Sequence, residues 1–151
     1  MRRVGFSSIF LMTGVLLLST CCMGSPDTEE MRKVFKSKLL EANSNADFEG
    51  IKRMFCWDRV TEEFQADFIK QLVQPLIRDK LLSVNFIPIP DRCKKQLEEG
   101  LSIKDSLYFR NLDVIEYLEI EAVQNGAPWK ISLPVGVKEG KYWFTLWAPR
   151  N

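Results

Sequence analysis

The chain has 151 residues, 46% hydrophobic and 27% charged side chains, and a formal net charge of +1, proportions that suit one globular domain and exclude a disordered chain. Without Arg2 and Arg3 the remainder carries one fewer basic than acidic side chain, which excludes the domain-wide basic excess of a nucleic-acid binder. Histidine is absent, so Ser-His-Asp and Cys-His nucleophile pairs and imidazole zinc sites are excluded, while a carboxylate with a raised pKa stays available as a base.

Residues 1–24 read as an export segment. Arg2 and Arg3 precede the apolar run Ile9–Leu18, which is followed by small residues; the run is shorter than the roughly 20 residues a spanning helix needs. Leu18-Ser19-Thr20-Cys21 resembles the lipobox of bacterial lipoproteins, with Cys21 or Cys22 as the lipid acceptor. Ordinary cleavage after Gly24 is the competing reading. Either one predicts an exported protein that is periplasmic, anchored as a lipoprotein or secreted, and that meets a membrane only through this segment or a lipid. Residues 25–151 then form a single domain.

Asp27 and Glu30 form a capping-box pattern, and Met31, Val34, Phe35, Lys38/Leu39 and Ala42 recur at helical spacing, predicting a helix to about residue 42. Asn45 is a candidate cap for a short second helix with Phe48, Ile51, Met54 and Phe55 on one face. Gly50 lowers that helix's intrinsic stability by about 1 kcal/mol. In a third helix Phe64, Phe68, Leu72 and Leu76 lie four apart, and Pro75 predicts a kink or stop near Gln74. Cys56 and Cys93 leave two readings open, a bridge contributing about 3–4 kcal/mol in an exporting compartment or two separate thiols.

After Lys80 the period becomes alternating. Leu82, Val84 and Phe86 predict a half-buried strand, residues 94–99 suit a short helix, and Leu107 begins another extended stretch. Val114–Val123 is the clearest long strand. Asn125-Gly126 predicts a hairpin turn, residues 138–141 a second, and Tyr142–Ala148 a last strand. Helices first and strands afterwards predict an α+β fold, with N-terminal helices packed on a bent antiparallel meander sheet.

Three features resemble the cone-shaped α+β superfamily of nuclear transport factor, ketosteroid isomerase and polyketide cyclase type. They are the short helix Asp47–Phe55, Trp57 after it, and the Leu133-Pro-Val-Gly-Val-Lys-Glu-Gly-Lys-Tyr-Trp143 ending. That resemblance implies helices seated in the concave face of a bent sheet, with an apolar pocket between them. It transfers no catalytic residue to this chain.

Two constellations are candidate sites. Glu116 shares a strand face with Val114, Leu118, Ile120 and Ala122; buried and unpaired it would be a candidate base, unless Arg110 or Lys130 pairs with it or a bulge turns it to water. Trp143 and Trp147 fall on one face of the last strand, with Trp129 and Trp57 elsewhere; together they form a candidate ligand or partner surface. Glu119 and Glu121 suit a solvated sheet face, and no metal site or cofactor is expected.

The expectation is an exported, non-enzymatic module that binds a small apolar ligand or a protein partner through an apolar pocket or aromatic sheet face. The alternatives are a small isomerase- or cyclase-like enzyme using Glu116, and a structural homodimer formed through the sheet.

Overall fold

The computed structural model describes residues 28–149. The expected export segment (residues 1–24) with its acceptor candidates Cys21 and Cys22, and Asp27, lie outside them. The fold is α+β, with the main helices N-terminal to a curled antiparallel sheet.

Helix α1 (Thr28–Ser44) buries Phe35, Leu39 and Ala42, a stripe set by i, i+4, i+7 spacing. The predicted end near residue 42 falls two residues short, and Asn43 lies inside the helix. The helix runs past it, and its amide donates to the carbonyls of Leu76 (2.7 Å) and Asp79 (2.9 Å), satisfying groups that a helix end leaves open. The short helix α2 (Phe48–Lys52) is capped by Asp47, not Asn45: the Asp47 carboxylate accepts from the Gly50 amide at 2.8 Å. A side chain at position 50 would land on that carboxylate, so the glycine that weakens the helix is also what lets the cap close.

The predicted third helix is α3 (Glu62–Phe68), a π-turn (Ile69–Val73) and α4 (Gln74–Arg78) in one continuous run. Pro75 has no amide and crowds the preceding turn. The chain widens to the π register just before it, with the Gln74 amide donating to Ile69 O, and then continues helically. The disturbance sits where the sequence puts it, but the helix does not stop.

Strands β1 (Lys80–Ile87), β4 (Val114–Gln124), β5 (Ala127–Lys138) and β6 (Lys141–Phe144) form the main sheet in the order β1-β4-β5-β6, with antiparallel pairings throughout. Between β1 and β4 run helix α5 (Asp91–Glu99) and the hairpin β2 (Leu101–Ile103)–β3 (Ser106–Arg110). That hairpin joins β7 (Trp147–Pro149) in a second, three-stranded sheet ordered β2-β3-β7. The sequence's single last strand is therefore two. β6 belongs to the large sheet and β7 to the small one.

A bulge between Leu81 and Ser83 puts Leu82 outside at 56% exposure and leaves Leu81 packed against the core. The core lies between the helices and the concave sheet face, where Leu39, Ile51, Phe55, Leu76, Leu118, Ile120, Val135 and Phe144 are fully buried. Phe144 is its aromatic centre, with ring centroids 4.9 Å from Phe35 and 4.8 Å from Phe55. The backbone after α2 also adds to β6: the Cys56 amide donates to Phe144 O and the Phe144 amide to Met54 O, both at 2.9 Å, so that edge strand is covered.

Candidate functional site

Helix spacing places Met31, Val34, Phe35 and Lys38 along one flank of α1. Opposite stands the β5–β6 turn, where Glu139 (φ 53°) and Gly140 (φ 69°) both adopt left-handed backbone, the geometry a two-residue hairpin turn requires. Between them runs an open groove of about 310 Å³, with Met54 and Arg53 at one end and Tyr142 and Trp143 along the strand side. Phe35, Met54 and Tyr142 are buried in its floor, whereas Val34 is 44% exposed on its wall. Lys38, Arg53 and Lys141 stand around it with one carboxylate, Glu30.

Behind this floor lies a buried polar network. The bulge expected near Glu116 does occur, between Val114 and Glu116, but it turns Ile115 outward and keeps Glu116 inside at 6% exposure. The partner of Glu116 is neither Arg110 nor Lys130. Arg32 Nη2 donates to Glu116 Oε2 at 2.7 Å, and Arg32 Nε donates to both carboxylate oxygens at 3.2 Å. Glu116 therefore meets half of its expectation, being buried but not unpaired, and it does not line the groove. The Tyr142 hydroxyl is buried and makes no well-formed hydrogen bond. Burial first, and the nearby Glu116 carboxylate second, push its pKa up to about 12.

The four tryptophans are not brought together. Trp143 is half-buried on the groove, its indole N–H donating to Lys138 O at 3.2 Å. Trp147, in the other sheet, lies under the Arg110 guanidinium, with Cζ 3.9 Å from the ring centroid. Trp129 donates to Asp79 Oδ2 at 2.7 Å and Trp57 to Lys52 O at 2.8 Å. The sequence pairs Trp143 with Trp147 because it reads one strand where the chain switches sheets. Only Trp143 reaches the groove.

Cys56 and Cys93 are free thiols, the first buried and the second half-buried, so the bridge is not formed. Burial pushes the Cys56 thiol up. Arg110 donates to Thr145 O at 3.1 Å, its Nε has no partner, and burial lowers its pKa to about 10. Glu119 and Glu121 share Lys130 at 2.9 and 3.0 Å on an accessible sheet face. Among the described residues no cluster of three or more metal-binding side chains occurs, and no helix is long and apolar enough to cross a membrane.

Sequence reading alone missed Lys38, Arg53, Met54 and Lys141 as neighbours. The one available signal was Lys38, which falls within the apolar stripe of α1 and therefore had to border a surface. No family model, curated protein or solved structure matches this chain.

Proposed function

We propose that residues 28–149 form a non-enzymatic binding module that takes a small apolar ligand in the groove between α1 and the β5–β6 hairpin. One observation carries the reading: Met31, Val34, Phe35, Met54 and Trp143 line an open concavity of about 310 Å³, at the small end of the range for ligand sites. The curled sheet with helices on its concave side is compatible with the cone-shaped superfamily. The leader residues, by their sequence, argue for export.

The geometry favours binding over isomerase-like catalysis at Glu116. Both carboxylate oxygens are held by Arg32, and a base must reach its substrate. A homodimer anchored on Trp143 and Trp147 together is disfavoured, since these residues sit in different sheets.

Calorimetric titration with decanol tests the proposal. The parent is expected to bind, and Val34→Trp, which fills the groove from an exposed wall position, is expected to abolish binding without changing the thermal midpoint. Absence of decanol binding in the parent, or equal binding in the variant, would sink it.

A further inference from the structure

The rim of the groove differs from its floor. Lys38, Arg53 and Lys141 border the cavity, and none of the three is in an ion pair among the described residues. Several other cations do find carboxylates, as in Lys138 with Asp58, Lys94 with Asp91 and Lys130 with Glu119 and Glu121. Cations outside any ion pair among the described residues occur elsewhere too, such as Lys36 and Lys70, but here three of them line one apolar groove.

Acidic groups nearby offset it only in part. Glu30 is the single carboxylate lining the groove. Asp47 and Glu41 line a neighbouring cleft that shares Lys38 and Arg53 with the groove, and Asp47 is committed to the Gly50 amide. Three cations facing one anion leave a positive opening over a low-dielectric floor, the arrangement that concentrates an anion. Arg53 is also partly held, its Nε donating to Glu49 O at 3.1 Å, which leaves its terminal nitrogens to reach an acceptor at modest entropic cost.

We infer that the ligand is an amphipathic monocarboxylate with one unbranched alkyl tail, the tail on Met31, Val34, Phe35 and Met54 and the carboxylate among Lys38, Arg53 and Lys141. This rests on the binding reading above and adds the chemistry of the head group. A single tail suits an open cavity of about 310 Å³. A carboxylate suits a lining that offers one guanidinium and two ammonium groups, because a guanidinium can meet both oxygens at once.

The test compares decanoate, decanol and decylammonium by calorimetry on the full chain. At low salt decanoate is expected to bind about tenfold more tightly than decanol, with decylammonium weakest. At about 1 M salt, where the screening length falls to about 3 Å, the preference should shrink towards twofold. In Lys38→Gln/Arg53→Gln/Lys141→Gln protein the decanoate-to-decanol ratio should fall to about one. Glu30→Gln should raise it. Decanol binding with no preference for decanoate overturns this inference and leaves the groove standing as an apolar site, whereas silence with all three probes removes both.

Discussion

Replacing Asn111 with alanine probes the joint between the two sheets. The residue is 6% exposed and sits just after β3, where the chain leaves the small sheet for the large one. Its amide donates to Cys56 O at 2.6 Å and to Asp58 O at 3.1 Å, while its carbonyl oxygen accepts from the Leu146 amide at 2.9 Å. One side chain thus ties the segment after α2, the strand switch at residues 145–146 and the entry to β4. Alanine deletes all three bonds and strands two buried backbone groups, Cys56 O and Leu146 N–H. At about 1–3 kcal/mol for each buried group left without a partner, the loss should be about 4 kcal/mol. The backbone bond from the Asn111 amide to Leu146 O remains and limits the damage.

Asn111→Asp sharpens the test. An ionised carboxylate would face two carbonyl oxygens with no proton to offer, so its folded-state pKa must rise. A raised pKa means that the variant is most stable below the unfolded value near 4 and loses that stability as pH rises through the folded value. Urea melts at several pH values, followed by far-ultraviolet circular dichroism, measure both variants. A cost below about 1 kcal/mol for alanine with an unchanged m value, or an aspartate variant as stable as the parent at neutral pH, would refute the assigned role.

The buried Asp79 carboxylate is held below its ordinary range, chiefly by Arg78 and further by the Trp129 indole N–H; its contribution is present above the unfolded pKa and lost as pH falls through the folded one. In Trp129→Phe the folded-state pKa should rise towards the unfolded one, so the acid loss should be smaller and complete at higher pH in urea midpoints measured across the acid range. Tyr117 and Tyr142 both have pKa values raised to about 12 by burial, so tyrosinate absorbance should show these two ionising well above the ordinary value near 10, and the stability they confer, complete below 10, should decline between 10 and 12. Arg32→Met and Glu116→Leu should each lower the thermal midpoint, whereas the double variant should recover towards the parent, because removing both charges strands neither.

Local chemistry was legible in the sequence. The Asn125-Gly126 turn has φ values of 50° and 82°, which is why that pair marks the hairpin, and the stripe of α1 requires only its spacing. What the sequence did not disclose was set by distant partners. Glu116 finds Arg32 across 84 positions, so no local pattern distinguishes that pairing from Lys130 or Arg110. Leu82 looks inward by alternation, and only the register against β4 reveals the bulge that turns it out. Tyr142–Ala148 reads as one apolar strand because both halves are buried, yet the ladder on β5 ends with the Thr145 amide donating to Pro134 O, and the Leu146 amide turns instead to Asn111 Oδ1. The groove was hidden for the same reason, since its two sides lie some 100 residues apart in the chain.

The groove's shape depends on α1 being held at both ends by polar contacts as well as by its buried stripe. Near its start Arg32 forks onto Glu116 of β4, and near its end Asn43 binds the carbonyls of Leu76 and Asp79. These two attachments fix the helix in rotation as well as in distance, because directional bonds tolerate less rolling than apolar packing does. The flank carrying Met31, Val34 and Lys38 is consequently presented towards the β5–β6 hairpin before any ligand arrives. A wall positioned in advance spares a ligand the cost of ordering it, which favours the proposed binding of a single alkyl chain in so small and open a concavity. For the proposed ligand the Arg32–Glu116 fork would be a positioning device: its carboxylate need not meet that ligand to govern how well the groove fits it.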